Sequence, residues 1–491
     1  MKLFTRHQEL EEQSPFDIYT KLRGTKAGFI FESSTINEQL GRLSMVGFDP
    51  VMELSGKNDT IRIKGLNDRI KPYFDLIKTL ESDQVKVVNE SELEIIIAKK
   101  EFSGAEKERF KRENIAQVLK RVISSIEADR NCYAGFYGAL GYSFVNLFED
   151  IEGIKDHGTP DFHLYFFDNI IFHNHLTGHV NLYCSRISEG ESNKAVDTVY
   201  HQLLTTNPTE TGTFSISNAT YEPNDADFRE FVEEARELSK KGELMEMVLS
   251  RKLSAKFEGD PLALYKRYSE LNPSPYMFYF DFLDEKLIGT SPEMMVRYER
   301  GKVTLRPISG TAKRGPNPIE EHSLMIDLLN SEKEKSELDM LVDLARNDLA
   351  RVCKPNVQIE SYRAVEKYSH VMHTVAQVSG ELKDDLTGVD ALLACMNAGT
   401  LTGAPKMAAM KHIERIETLP RGYYGGAVGY MLVNGNVNTA ITIRTAHLVK
   451  DVITYQAGAT LLYESNAEDE LQETINKMSG FLQVINENPK S

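Results

Sequence analysis

The stretch YYGGAVGYMLVNGNVNTAITIRTAHLVKDVITYQA, residues 423–457, sets the expectation for the fold. Tyr423 to Val433 and Val437 to Val449 are β-prone runs that flank Asn434-Gly435-Asn436, a strong hairpin signal. Val452 to Ala457 follows Lys450-Asp451 as a third strand, which gives an antiparallel meander. Toward the N-terminus, short β-like runs recur at Leu164-Tyr165-Phe166-Phe167, Ile170-Ile171-Phe172 and Val180-Asn181-Leu182-Tyr183. The turn-like His175-Leu176-Thr177-Gly178 separates the last two and predicts another hairpin. Between the strands stand helical stretches: the charged Glu106 to Ile126, and Asp227 to Lys241 with Phe228, Phe231, Ala235 and Leu238 on one face. Strands and helices mix without a regular βαβ alternation, which predicts an α+β fold on antiparallel sheets. The segment Leu204 to Pro223, rich in Thr, Ser, Asn and Pro, reads as a linker. The expected organisation is an N-terminal domain 1–205, a linker 206–223 and a C-terminal domain 224–491.

The 491-residue chain is 41% hydrophobic and 26% charged, with a formal net charge of -16. Such a surface repels nucleic-acid phosphates and anionic membranes, so neither is expected as a general partner. A local basic pocket for a small anion stays compatible with it. Four cysteines, Cys132, Cys184, Cys353 and Cys395, form no Cys-x-x-Cys pair and suggest neither a disulfide framework nor a cysteine zinc site. Met1-Lys2-Leu3-Phe4-Thr5-Arg6-His7 turns polar too soon for a signal peptide, and no stretch reaches the roughly 18 apolar residues of a membrane span. A cytoplasmic protein is expected.

Two helices are expected to carry the chemistry. Ser331 to Cys353 holds Glu334 and Glu337, and Ala467 to Asn486 holds Glu470 and Glu473 with Lys477 four residues on. Residues three or four apart share a helix face, so each pair aims two carboxylates the same way. Leu471, Ile475, Met478 and Leu482 lie on another side at core spacing. Facing stripes of this kind would suit Mg2+, which takes few carboxylates and keeps several waters. A lone Glu-x-x-Glu is ordinarily a solvated face. The surrounding motifs change that reading.

Those motifs are Arg306-Pro307-Ile308-Ser309-Gly310-Thr311, Leu341-Val342-Asp343-Leu344-Ala345-Arg346-Asn347-Asp348 and Tyr368-Ser369-His370-Val371-Met372-His373. Gly399-Thr400-Leu401-Thr402-Gly403-Ala404-Pro405-Lys406, Gly425-Gly426-Ala427-Val428-Gly429-Tyr430 and Glu473-Thr474-Ile475-Asn476-Lys477 complete the series. In this order and spacing they resemble the chorismate-binding enzyme family, most closely its anthranilate synthase component I branch. The resemblance is dense over about residues 225–485 and thinner before.

The resemblance implies large antiparallel sheets in a β-sandwich-like core flanked by helices. It implies a Mg2+ bridging a chorismate carboxylate and Glu334, Glu337, Glu470 and Glu473. Arg444 matches the family's arginine for the second carboxylate, where a planar guanidinium suits bidentate binding. Tyr430, Gly458, Ala459 and Lys477 match the rest of that cradle. The implied reaction brings ammonia in at C2 and expels hydroxide from C4, so a positioned acid is required. Glu293, in Ser291-Pro292-Glu293, matches it. His373 matches the histidine associated with pyruvate release, and Thr311, Thr400, Gly310 and Gly403 match pocket positions. Glu32 and Ser33, with Asn272, Pro273, Pro275, Tyr276 and Met277, resemble the two halves of a tryptophan feedback site, the first half lying in the N-terminal domain.

Ser309 stands where aminodeoxychorismate synthases carry a lysine, and Glu246 where the water-using relatives carry one; ammonia is therefore the expected nucleophile. Glu246, Leu338 and Thr460 depart from the usual Gln, His and Gly, and bear on pyruvate release. No glycine-flanked nucleophilic Cys followed by His and Glu is present, so a separate glutamine amidotransferase subunit is implied as partner in a hetero-oligomer. Two other readings have distinct outcomes. A 2-amino-2-deoxyisochorismate synthase would leave the pyruvyl arm on its product. A catalytically silent tryptophan sensor would bind tryptophan without consuming chorismate.

Overall fold

Tyr276–Asp281 is apolar or aromatic at every position but the last, because both faces of this strand are covered. Phe278 and Phe280 join a cluster with Phe29, Phe31, Tyr137 and Phe167, whereas Met277 and Tyr279 join another with Ile30, Tyr265 and Tyr268. Alternate residues thus serve opposite faces of one sheet. In the computed structural model this pattern builds two large sheets, of 12 and 13 strands. The structure describes residues 1–24, 26–34, 43–81, 84–98, 104–149, 151, 158–368 and 371–486.

The first cluster fills the gap between the sheets, where the Phe29 ring stacks on Tyr137 at 4.5 Å. Helices cover the outer faces. Pro15–Leu22, Glu189–Thr205, Pro261–Leu271 and Ala467–Asn486 pack on the 12-stranded sheet. Lys71–Leu80, Ile115–Ser124, Glu332–Val352 and Gly388–Cys395 pack on the 13-stranded one. This is the expected antiparallel α+β sandwich. Among the described residues no helix is long and apolar enough to cross a membrane.

Two segments differ from their sequence reading. Residues 206–213 are irregular, but Phe214–Glu222 is an edge strand paired with Glu246–Gly259. Phe214 and Ile216 alternate with Ser215 and Ser217, a period-two signal masked by the polar composition. Both sheets draw strands from before and after this segment, so 206–223 divides the chain and not the sheets.

The second difference matters for the site. The expected strand Val437 to Val449 is two strands: Val437–Ile441 in the 13-stranded sheet and Thr445–Val449 in the 12-stranded sheet. The chain crosses between sheets at Thr442-Ile443-Arg444, with Arg444 at φ +52°. A left-handed non-glycine residue costs on the order of 1 kcal/mol or more. It is held by its carbonyl, which accepts from Thr290 N (3.0 Å) and Tyr268 Oη (3.2 Å). A second crossing lies alongside. Glu285–Ser291 is in the 12-stranded sheet and Met294–Glu299 in the other, so Pro292-Glu293 bridges them. Ile441 N donates to Glu293 O (3.0 Å) and Ser291 Oγ to Ile441 O (2.7 Å), fastening the crossings together.

A polar clasp also spans the sheets. His163 Nδ1 meets Glu285 Oε1 at 2.7 Å and its Nε2 meets Glu53 Oε1 at 2.9 Å, while His447 Nε2 lies 2.6 Å from Glu285 Oε2. Burial disfavours the charged imidazole of His163, but the bonds to Glu285 and Glu53 outweigh it and raise its pKa to about 9. Burial likewise opposes ionisation of Glu285, and its two histidine bonds reverse that, holding it below the usual carboxylate range. The His163 contribution is full below the unfolded value of about 6.5 and is lost as pH rises through about 9. That of Glu285 is present above about 4.5 and is lost as pH falls. Urea unfolding is therefore expected to show a larger loss of stability between pH 6.5 and 10 in the wild type than in His163→Leu.

Candidate active site

Ser331 caps the Glu332–Val352 helix, its Oγ accepting from Glu334 N at 3.3 Å. From that start Leu338, Leu341, Val342, Ala345 and Leu349 are buried, leaving Glu334 and Glu337 half-buried on an adjoining stripe. On Ala467–Asn486, Leu471, Met478, Phe481 and Val484 are buried, and Glu470, Glu473 and Lys477 form the half-buried stripe. The two helices pack on opposite outer faces of the sandwich, yet their stripes meet at one cavity beside the strand crossings.

That cavity has a volume of about 490 Å3 and is lined by Glu334, Glu337, Glu470 and Glu473 together with Glu246, Glu293, Gly310, Thr311, His373, Thr400, Arg444, Gly458 and Lys477. All four carboxylates of the paired motifs converge there. Ser309, Lys333, Tyr424, Gln456, Thr460 and Asp469 also line it. Its size falls within the range of about 300–1,000 Å3 usual for small-molecule sites.

Individual groups are set for distinct tasks. Burial raises the Glu293 carboxyl to about 8, against the hydrogen bond from Thr400 Oγ1 (3.0 Å) and the Lys477 charge; Glu337 adds to the rise. Glu293 is thus a protonated acid at neutral pH. Burial, then Glu337, raises Glu246 to about 8 as well. His373 Nδ1 lies 2.9 Å from Gly310 O and 3.1 Å from Thr311 Oγ1. A carbonyl oxygen only accepts, so Nδ1 carries the proton and Nε2 keeps the lone pair. Burial, opposed by the Gly310 bond and assisted by Arg444, holds the His373 pKa below its ordinary value and the ring neutral.

Cations are fixed from behind. Arg444 Nη1 donates to Lys477 O at 2.6 Å, and Lys477 Nζ donates to Gly458 O at 2.9 Å while standing 3.5 Å from Glu473. Gly310 sits at φ +68°, and a Cβ there would meet Glu334 Oε2 at 3.0 Å. Its lack of a side chain lets the strand Ile308–Lys313 pass beneath the acidic helix.

Burial, followed by repulsion from Glu334, raises Glu337, and burial also raises Glu470. The four carboxylates are hard oxygen donors. Among the described residues, no three His, Cys, Asp or Glu side chains form a ready metal cluster. Hard oxygen donors of this kind fit a divalent cation that also takes water and substrate oxygens.

Three expected pocket residues lie elsewhere. Gly403 faces the strand Glu246–Gly259, where a Cβ would strike Glu246 O at 2.3 Å, so it seats that strand and does not line the cavity. Ala459 is fully buried in the cluster with Leu249 and Leu471, on the face opposite Gly458 and Thr460. Tyr430 points between the sheets; Tyr424 is the tyrosine at the cavity. A Cβ on Gly458 would lie 2.8 Å from the Tyr424 hydroxyl, which marks how close the two are. Of the departures, Thr460 lines the cavity, whereas Leu338 is fully buried in the helix core. Ser369 and His370 of the expected motif lie outside the described residues.

The expected effector residues divide. Glu32 and Met277 are cross-strand partners, so the two sequence halves do meet. Ser33, Pro275, Tyr276 and Tyr430 line a second cavity of about 720 Å3, at which Ser33 Oγ is buried without a hydrogen-bond partner among the described residues. Glu32 points the other way and accepts from Tyr265 Oη, and Met277 packs on the helix side. Asn272 Nδ2 donates to Thr290 Oγ1 at 2.6 Å, and neither Asn272 nor Pro273 lines that cavity.

A helix-flanked sandwich with an acid-lined pocket, a neutral imidazole and a fixed arginine defines an enzyme for a small carboxylated substrate. The sequence profile of the chorismate binding enzyme family matches residues 81–483, and the chain belongs to that family. It is 33% identical to anthranilate synthase component 1 of Acetivibrio thermocellus, over 97% of this chain and 93% of that protein. It is 38% identical to anthranilate synthase component 1 of Aquifex aeolicus strain VF5, over 72% of this chain and 74% of that one. The crystal structure of anthranilate synthase component I from Streptococcus pneumoniae TIGR4 superposes with a TM-score of 0.71 at 30% identity, covering 96% of this chain and 98% of that one.

Proposed function

We propose that this chain is component 1 of an anthranilate synthase, converting chorismate and ammonia into anthranilate, pyruvate and water. The carrying observation is the convergence of Glu293, His373, Arg444 and the two carboxylate pairs on one cavity. Ammonia attacks C2, the diene shifts, and the C4 hydroxyl departs as water with the Glu293 proton. Thr400 orients that acid by bonding its Oε1. In the second step Nε2 of neutral His373 takes the proton from the carbon bearing nitrogen, and the enolpyruvyl oxygen leaves as pyruvate while the ring becomes aromatic. Arg444, held on Lys477 O, binds the enolpyruvyl carboxylate. Glu334, Glu337, Glu470 and Glu473 would hold Mg2+, which neutralises and orients the ring carboxylate when bound.

Ammonia comes from a separate glutamine amidotransferase subunit, in keeping with relatives named as component 1 of a synthase. Tryptophan is the proposed feedback effector, and the second cavity supports this with Tyr276 as an aromatic wall and the buried Ser33 hydroxyl, which has no partner among the described residues.

Purified chain incubated with chorismate, Mg2+ and ammonium at mildly alkaline pH is expected to form fluorescent anthranilate and equimolar pyruvate. Chorismate consumed with the pyruvyl arm retained would assign an aminodeoxyisochorismate synthase. Tryptophan binding without chorismate consumption would assign a sensor. Removing an aromatic contact costs about 0.5–1.5 kcal/mol, so Tyr276→Ala is expected to raise the tryptophan concentration for half-inhibition about 2- to 12-fold. Uninhibited turnover should stay unchanged, which a tryptophan titration of the ammonia-dependent rate will measure.

A further inference from the structure

We infer that Arg306, Glu366 and Tyr368 are positioning residues that hold the His373 ring in place for the second step; this rests on the reading of His373 above. His373 lies on Val371–Glu381, with Thr311 opposite on one neighbouring strand and Glu366 opposite on the other. Gly310 and Thr311 fix Nδ1 from the first side. The second side is a chain of contacts. Arg306, only 3% exposed, donates to Glu366 Oε1, and Tyr368 Oη donates to Glu366 Oε2 at 2.9 Å. The Tyr368 ring then meets His373 edge-to-face, with centroids 5.5 Å apart at 63°. Arg314 Nη1 holds the Tyr368 carbonyl at 2.6 Å.

Neither Arg306, Glu366 nor Tyr368 lines the cavity, so none reaches the reacting atoms. A carboxylate that bridges a buried guanidinium and a phenol fixes where the tyrosine hydroxyl, and so the ring, is placed. An aromatic wall at that distance removes the imidazole's freedom to turn about its Cβ–Cγ bond. Ring rotation would take Nδ1–H away from Gly310 O and the Nε2 lone pair out of the cavity. The arrangement therefore selects one tautomer and one direction, the function that an outer group performs for a catalytic histidine elsewhere.

The test compares wild type with Glu366→Gln, Tyr368→Phe and Tyr368→Leu in protein carrying 15N-labelled histidine. His373→Gln assigns the His373 resonances. Wild type is expected to show protonated Nδ1 and lone-pair Nε2. Glu366→Gln and Tyr368→Leu should give averaged tautomer shifts. They should also slow pyruvate release about tenfold or more, so that the aminated intermediate accumulates, with the chorismate KM and the amination rate within about twofold. Tyr368→Phe, which keeps the ring and loses the bond to Glu366, should fall between wild type and Tyr368→Leu. Unchanged His373 shifts in folded Glu366→Gln and Tyr368→Leu would overturn the inference, as would an equal loss in both steps. If the wild type made no anthranilate, the functional reading would fail and the His373 shifts alone would still decide whether these residues fix the ring.

Discussion

Glu293→Gln is expected to lower anthranilate formation about 10²- to 10⁴-fold, the usual worth of a positioned general acid. Chorismate affinity should change little. Gln keeps the shape of Glu and can still accept the Thr400 hydrogen bond at the position of Oε1. It has no proton to give to a departing hydroxyl. The backbone should be unaffected, because Glu293 is fixed there by its carbonyl bond from Ile441 N and by neighbouring Ser291. Direct binding of chorismate to the variant, set beside its turnover, checks the prediction. A variant that lost binding and kept turnover per bound substrate would remove Glu293 from the acid's role. The pH dependence adds a second check: a group that ionises near 8 makes the amination rate fall on the alkaline side, and the variant should lack that limb.

The antiparallel strands, the hairpin at Asn434-Gly435-Asn436 and both acidic helices were legible because each depends on local period and turn chemistry. The crossings were not. Thr442-Ile443-Arg444 reads as the interior of one strand, since β-branched residues surround it and only the long-range pairing of Thr445–Val449 with another sheet breaks it. That crossing turns Arg444 toward the cavity and separates it from Tyr430, which remains on the preceding strand with its ring between the sheets.

Tyr424 was missed for the same reason. The run expected as a strand from Tyr423 forms one only from Ala427, so Tyr424 stands before it and comes to the cavity through its closeness to Gly458. Glu32 shows the opposite case. Its neighbours Phe31 and Ser33 face the second cavity, so strand alternation alone turns Glu32 to the helix side. The Glu366 bridge carried no sequence signal, because a carboxylate on an irregular, half-exposed strand looks like any surface glutamate until Arg306 and Tyr368 are beside it.

Chelation of divalent metal is expected to abolish turnover, and Mg2+ added in excess of the chelator to restore it. The reason lies in the balance of charge at the cavity. Glu334, Glu337, Glu470, Glu473 and Asp469 share it with Lys333, Lys477 and Arg444, and Arg444 is held in place by one bond to the backbone of Lys477. Lys477 is engaged by Gly458 O and Glu473. A dianionic substrate entering this surface without further positive charge would meet net repulsion from these carboxylates; burial, followed by Glu334, already raises the proton affinity of Glu337. A divalent cation held by these carboxylates would reverse the sign of the interaction and would give the ring carboxylate a fixed place. Loss of even an outer carboxylate around a metal costs about 10- to 100-fold in affinity, so Glu473→Ala should raise the Mg2+ concentration for half-maximal rate by about tenfold or more. Lys477 would then lose its acidic neighbour 3.5 Å away, and its charge would be available to the substrate instead. Chorismate binding at saturating Mg2+ should for that reason be retained while the metal requirement rises. Activity measured against Mg2+ at fixed chorismate, and against chorismate at fixed Mg2+, separates the two effects; an unchanged Mg2+ dependence in both Glu337→Ala and Glu473→Ala would remove the metal from these helices.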